Sequence, residues 1–124
     1  MQGKTLEEIL RPIRWLGDSL KQVQRFPRSV RQDIGASLYD VQKGVTPPQA
    51  KPFRGIGSGV FEIVTPFATN TYRTVYAVQI GEHVYILHAF QKKSPKGRKT
   101  AKHDIELIRK RYKEAWDLEQ EKQQ

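Results

Sequence analysis

The 124-residue sequence predicts an α+β domain in which two paired helices lead into a sheet and a last helix closes the chain. Three observations predict it. Val30, Ile34, Leu38 and Val41 step by four, four and three, which puts them on one apolar stripe of a helix. Between residues 59 and 90, three consecutive segments are rich in Val, Ile, Tyr, Thr and Phe, the residues that suit a pleated surface. Ile105, Ile108, Tyr112 and Trp116 then recur at helical spacing on one face of a final helix.

The elements follow in order. Residues 1–11 read as an N-terminal arm, 12–118 as the single domain and 119–124 as a polar tail. Pro12 leads into Ile13-Arg14-Trp15-Leu16-Gly17, an apolar run closed by glycine and read as a first strand. Asp18-Ser19 is the expected cap of a short helix carrying Leu20, Val23 and Phe26. Pro27 is expected as the first residue of the second helix, and Gly44 as its stop. Residues 44–58 hold three prolines and three glycines in quick succession and read as loop. Strands are expected over 59–65, 71–80 and 83–90, with Gly81-Glu82 as a two-residue hairpin turn. The near-continuous run Val84-Tyr85-Ile86-Leu87 suits a strand buried on both faces. Four strands are expected in all.

Composition narrows the function. Lys and Arg total 22 against 13 Asp and Glu, a formal net charge of +9, which calls for a polyanionic partner: a nucleic acid or an acidic protein. With no cysteine there is no disulfide framework, thiolate metal site or Cys nucleophile. Three histidines in separate segments do not suggest a zinc site, so neither metal nor cofactor is expected. No apolar run approaches the roughly 18 residues of a membrane span, and Met1 to Thr5 opens no signal-peptide core. The expected setting is the cytoplasm, with no membrane partner.

The densest chemical signal follows the third of the consecutive strands. Lys92, Lys93, Lys96, Arg98, Lys99 and Lys102 fall within eleven residues with no acid among them, just before a helix N-terminus whose free N–H groups and dipole favour anions. Being adjacent, Lys92 and Lys93 point to opposite sides of an extended chain, so only one of them faces a given site. Arg73, mid-strand, is the residue suited to bidentate phosphate contact. Lys51 and Arg54, just before the strands, could meet the rim of the same groove. The bland alternative for each is a solvated surface charge. His88, inside an apolar strand, reads as a structural histidine or a proton-transfer group. Most aromatics of the strand region read as core, and Trp15 and Trp116 as core or interface. Gly55-Ile56-Gly57-Ser58-Gly59 precedes a strand and opens no helix, so it reads as a tight turn and not as a nucleotide cradle.

Taken together, Lys51-Pro52-Phe53-Arg54-Gly55, Gly59-Val60-Phe61-Glu62-Ile63, Thr71-Tyr72-Arg73-Thr74-Val75-Tyr76 and Leu87-His88-Ala89-Phe90-Gln91-Lys92-Lys93-Ser94 resemble the RelE/ParE toxin superfamily, and within it the phage-related HigB-like toxins. The resemblance covers roughly residues 12–115. It implies a compact fold in which an αα-hairpin packs on a twisted, mostly antiparallel four-stranded sheet with a C-terminal helix. It also implies the toxin of a type II toxin–antitoxin module, with a helix-turn-helix antitoxin as partner. HigB-like and RelE-like members enter the ribosomal A site and cut mRNA there, whereas ParE-like members inhibit gyrase.

Carried over residue by residue, Arg73 matches the strand arginine that contacts the scissile phosphate, and Lys92 and Lys93 match the basic pair at the end of the last strand. The chain departs from many ribonuclease members in having Glu62 and Val64 where they carry Lys or Arg. It also has no C-terminal tyrosine near Lys99. Metal-free RNA cleavage needs a base for the ribose 2′-hydroxyl, cations for the phosphorane and an acid for the leaving oxygen. The expected set is therefore Arg73, Lys92 and Lys93 at the phosphate with His88 or Glu62 moving the proton, and Lys51, Arg54, Lys96, Arg98, Lys99 and Lys102 along the RNA. A gyrase inhibitor and a non-catalytic basic nucleic-acid-binding module are the competing expectations.

Overall fold

The computed structural model of the chain describes residues 9–92 and 100–122. Its elements are β1 (Ile13–Trp15), α1 (Ser19–Gln24), α2 (Arg28–Gln42), β2 (Ala50–Pro52), β3 (Val60–Phe67), β4 (Asn70–Ala77), β5 (Val84–Lys92) and α3 (Lys102–Lys122). The strands form one mixed sheet in the order β1-β5-β4-β3-β2; β1 runs parallel to β5 and every other pair is antiparallel.

The sheet thus has five strands and not the expected four. The additional one, β2, lies in the stretch read as loop. It has no apolar alternation of its own and is recruited by the free edge of β3, with Ala50 opposite Ile63, Lys51 opposite Glu62 and Pro52 opposite Phe61. An edge position tolerates Pro52, which has no N–H to give, and pairing covers backbone groups of β3 that would otherwise stay open.

Alternation along the strands sends side chains to two cores. On one face, Ile63, Tyr72, Tyr76, Val84 and Ile86 meet the predicted α2 stripe of Val30, Ile34, Leu38 and Val41, with Val23 and Phe26 from α1 and its exit. On the other, Val60, Val75, Tyr85, Leu87 and Phe90 pack beneath Ile108 and Ala115 of α3. Strand β5 is buried from Val84 to Phe90, as its apolar run requires.

Several local expectations change. Asp18 sits at the N-cap position of α1 but makes no cap hydrogen bond; its carboxylate is taken by Gln22 and Arg111. Pro27 is the N-cap of α2 and not its first residue. The turn at 81–82 is a longer loop over 78–83, because the Arg11 guanidinium bonds the carbonyls of Val78, Glu82 and His83 and holds the loop open. The buried face of α3 runs through Ile108, Arg111, Ala115 and Glu119, while Trp116 is 39% exposed and outside the core. The helix continues through residues expected as tail, since Glu119 is buried against the Tyr85 hydroxyl at 2.8 Å.

A β-bulge shapes the site. Val75 pairs with His88 but Tyr76 with Ile86, so Leu87 is the extra residue of β5. A bulged carbonyl leaves the ladder and needs another donor. Arg111 supplies it: Nη1 donates to the Leu87 oxygen at 3.1 Å, and Nη2 to Asp18 Oδ1 at 2.9 Å. One buried guanidinium thereby ties α3 to the centre of the sheet and to the turn before α1. That turn contains Gly17, at φ +54, where a Cβ would lie 2.5 Å from the Arg111 guanidinium.

Candidate functional site

The pleat decides which charged groups meet. Glu62 and Val64 on β3, Arg73 and Val75 on β4, and His88, Phe90 and Lys92 on β5 all point to the α3 side of the sheet. Glu62 lies opposite Val75 and Lys51; Arg73 lies opposite Val64 and Phe90; Thr71 lies opposite Lys92. Beyond the part of this face that α3 covers, the strands therefore present a carboxylate among three cations.

Arg73 Nη1 donates to Glu62 Oε1 at 2.9 Å, and Lys51 Nζ stands 4.0 Å from Oε2. Both members of the Glu62–Arg73 pair are mostly buried, at 8% and 13% side-chain exposure. Arg73 Nε is buried and has no hydrogen-bond acceptor among the described residues, so the guanidinium retains donor capacity. Burial holds the Lys92 amine below its usual range, and the Arg73 charge pushes it the same way; Glu62 and Asp104 pull it back. That set of influences puts Lys92 within the field of the Arg73–Glu62 pair.

His88 is on the same face but is otherwise engaged. Its Nε2 lies 2.7 Å from Asp104 Oδ1, and its Nδ1 is 3.4 Å from Arg111 Nη1. A guanidinium only donates, so Nδ1 accepts and the proton sits on Nε2. Burial is the largest influence on this imidazole and keeps its pKa below the ordinary histidine value despite the Asp104 carboxylate. The ring stacks on Phe90 with centroids 5.1 Å apart.

Beside the pair, a groove opens between the 52–56 loop and the first turns of α3. Arg54, Ile56, Thr100, Ile105 and Arg109 line it, and Glu62 forms its inner end. Arg54 is an exposed residue of the loop wall, and Lys102 is exposed at the start of α3. The structure thus brings Arg73, Glu62, Lys92 and Lys51 together, with Arg54 nearby, and sets His88 behind them. Lys93, Lys96, Arg98 and Lys99 lie outside the described residues.

Sequence reasoning missed Asp104, Arg109 and Arg111. Two had a readable signal. Arg111 interrupts the buried spacing between Ile108 and Ala115, where a charged residue needs a partner; Asp104 is the first acid after a long basic run. Arg109 offered none, because its role depends on the approach of a loop fifty residues earlier.

The pattern of the family described as "Phage derived protein Gp49-like (DUF891)" matches residues 21–113, three quarters of the chain. The chain belongs to the Gp49-like family. The match runs from α1 well into α3 and includes Glu62, Arg73, His88, Lys92 and Asp104. This is a RelE-like toxin family, associated with the toxins of toxin–antitoxin modules, and such a toxin implies an antitoxin partner. The α+β architecture of this Gp49-like chain is compatible with the RelE fold. No curated protein matches it. Among the described residues no helix is long and apolar enough to cross a membrane.

Proposed function

We propose that this Gp49-like protein is a HigB-like toxin that cleaves mRNA in the ribosomal A site, in the cytoplasm, under the control of a helix-turn-helix antitoxin. The observation that supports the reading is the grouping of Arg73, Lys92 and Lys51 around the buried Glu62 carboxylate at the open end of one sheet face.

The chemistry asks for the groups this grouping contains. The ribose 2′-oxygen bonds to the neighbouring phosphorus, the bond to the 5′-oxygen breaks, and the products are a 2′,3′-cyclic phosphate and a 5′-hydroxyl. Glu62 accepts the proton of the 2′-hydroxyl. Arg73 shifts donors onto the phosphorane, whose charge exceeds that of the ground-state phosphate. Lys92, protonated and partly buried, gives a proton to the leaving 5′-oxygen; Lys93, the next residue in sequence, is the alternative donor. Glu62 is the better base than His88, because both nitrogens of His88 are held by Asp104 and Arg111. His88 then anchors the start of α3 and touches no substrate. Lys96, Arg98, Lys99 and Lys102 carry the strand's phosphates.

One observation favours a different reading. Val64, opposite Arg73, puts an aliphatic chain where many ribonuclease relatives carry a cation, and Glu62 already neutralises the arginine. A gyrase inhibitor or a non-catalytic basic nucleic-acid-binding module would need no more than that. Induced expression with mapping of mRNA 5′ ends separates the readings. Under the nuclease reading, new ends arise inside translated frames with wild type and vanish with soluble Arg73→Ala. Growth arrest without new ends would point to gyrase, and no arrest to a binding module.

A further inference from the structure

The groove beside Glu62 holds features that the bond-breaking step does not use. Its two walls come from distant parts of the chain, the 52–56 loop before β3 and the second turn of α3, and each wall contributes one arginine. Arg109 Nη2 donates to the Gly55 oxygen at 3.2 Å, which fastens the helix to the loop, and Arg109 lines the groove there. Arg54, next to that glycine, is exposed and lines the same space. Ile56 and Ile105, both half-buried, add apolar surface to the lining. The cavity volume is about 420 Å³, in the range of small-ligand clefts and enough for one nucleotide. Its inner end is Glu62, the carboxylate bonded to Arg73.

We infer that Arg54 and Arg109 form a phosphate clamp for the nucleotide next to the scissile one in a single-stranded RNA, with its sugar and base seated on Ile56 and Ile105. The inference rests on the reading of Glu62 and Arg73 as the RNA-cleaving site, which it deepens by naming the path of the strand. Two arginines that reach one groove from separate elements, the Arg109 guanidinium resting on the glycine beside Arg54, suit a shared phosphodiester, since each guanidinium can present a pair of parallel N–H donors. The strand then runs from the loop side of α3 toward β4. Arg109 is a positioning residue here and takes no part in the proton transfers.

The test uses the full chain and a short fluorescent oligoribonucleotide whose 2′-oxygens are methylated, so that it cannot be cut. Binding is measured from low to moderate salt for wild type, Arg54→Gln, Arg109→Gln and Lys110→Gln. Lys110 is exposed and lies outside the groove lining, so its variant loses the same charge without touching the clamp. Each clamp variant is expected to weaken binding about tenfold and to flatten the dependence of log affinity on log salt by about 0.7, the contribution of one phosphate on a single strand. Lys110→Gln is expected to leave both quantities near wild type. Equal effects of Arg109→Gln and Lys110→Gln would mean that net charge alone is read, and would overturn the clamp. So would wild-type affinity in both arginine variants, or no binding by wild type at low salt. The 5′-end mapping keeps the two proposals separate. Cleavage in cells with unchanged binding by the arginine variants sinks the clamp alone. Arginine-dependent binding without cleavage sinks the nuclease and leaves the clamp.

Discussion

Glu62 and Arg73 meet diagonally across the β3–β4 pair, carboxylate Oε1 to guanidinium Nη1 at 2.9 Å, with both side chains largely withdrawn from water. Sequence places them eleven residues apart in two strands; the register puts them on one face. The pair serves two ends at once. It neutralises a carboxylate that burial would otherwise penalise, and it holds the arginine at the open end of the site with its Nε donor unused among the described residues.

A mostly buried pair of this kind is costly to break from one side. Arg73→Ala takes away the 2.9 Å partner of the Glu62 carboxylate, leaving Lys51 at 4.0 Å and the more distant Lys92 charge among the described residues, and should lower stability by about 3 kcal/mol. Adding Glu62→Gln should recover a good part of that loss, because the uncompensated charge is gone. Urea unfolding of the two single variants and the double variant measures the coupling; simple additivity would show that the contact carries no energy.

The His88 imidazole gives a pH dependence with a definite sign. Its folded-state pKa is lowered, chiefly by burial and further by Arg111, so the folded protein resists the proton that the unfolded chain accepts near 6.5. The stability tied to the neutral ring is therefore complete above that value and falls as pH drops toward the folded pKa. Protonation would also put a proton on Nδ1, facing the Arg111 guanidinium at 3.4 Å. Unfolding free energies from urea titrations should decline between pH 7 and 5 in wild type, by at most about 1.4 kcal/mol per pH unit from this group. They should be flatter in His88→Gln, and an equal slope in both proteins would remove His88 as the cause.

Gly17 and Arg111 should behave as one unit. A side chain at Gly17 faces a positive φ and also displaces the guanidinium that satisfies the bulged Leu87 carbonyl. Gly17→Ala is expected to cost about 2 kcal/mol, in line with strained left-handed backbone. In an Arg111→Met background the same change should cost noticeably less, since the steric conflict is gone. Thermal unfolding of the four proteins reads the difference.

The Lys92 amine titrates below its usual 10.5, through burial first and Arg73 second. If Lys92 donates the proton to the leaving oxygen, cleavage should fade as pH rises through that lowered value, since the donor form is lost. Lys92→Ala should slow single-turnover cleavage by about a hundredfold or more. Lys92→Arg, charged throughout, should cleave slowly but without the alkaline decline. A decline that persists in Lys92→Arg assigns the acid to another group.

Much of the fold was legible because helices and strands write local periods into the chain. The α2 stripe from Val30 to Val41, the doubly buried run of β5 and the glycine-rich turn before β3 all follow from spacing and residue type. The basic character of the candidate site was legible too, through Arg73 and Lys92. What stayed hidden depended on partners far away in sequence. The strand β2 exists because β3 leaves an edge free, not because Ala50–Pro52 carries a strand pattern. His88 has its role fixed by Asp104 and Arg111 on α3, and Asp18 leaves its expected capping for Arg111 across ninety-three positions.

By itself, then, the sequence determined the order and type of most elements, the apolar faces and the strong positive charge, all properties of neighbours within a few residues. Only the tertiary structure decided which charges meet. A single extra residue at Leu87 shifts β5 by one place relative to β4, and side-chain direction in a strand alternates with every residue. That one-residue shift puts His88, Phe90 and Lys92 on the face of Glu62 and Arg73, and no local pattern in the chain announces it.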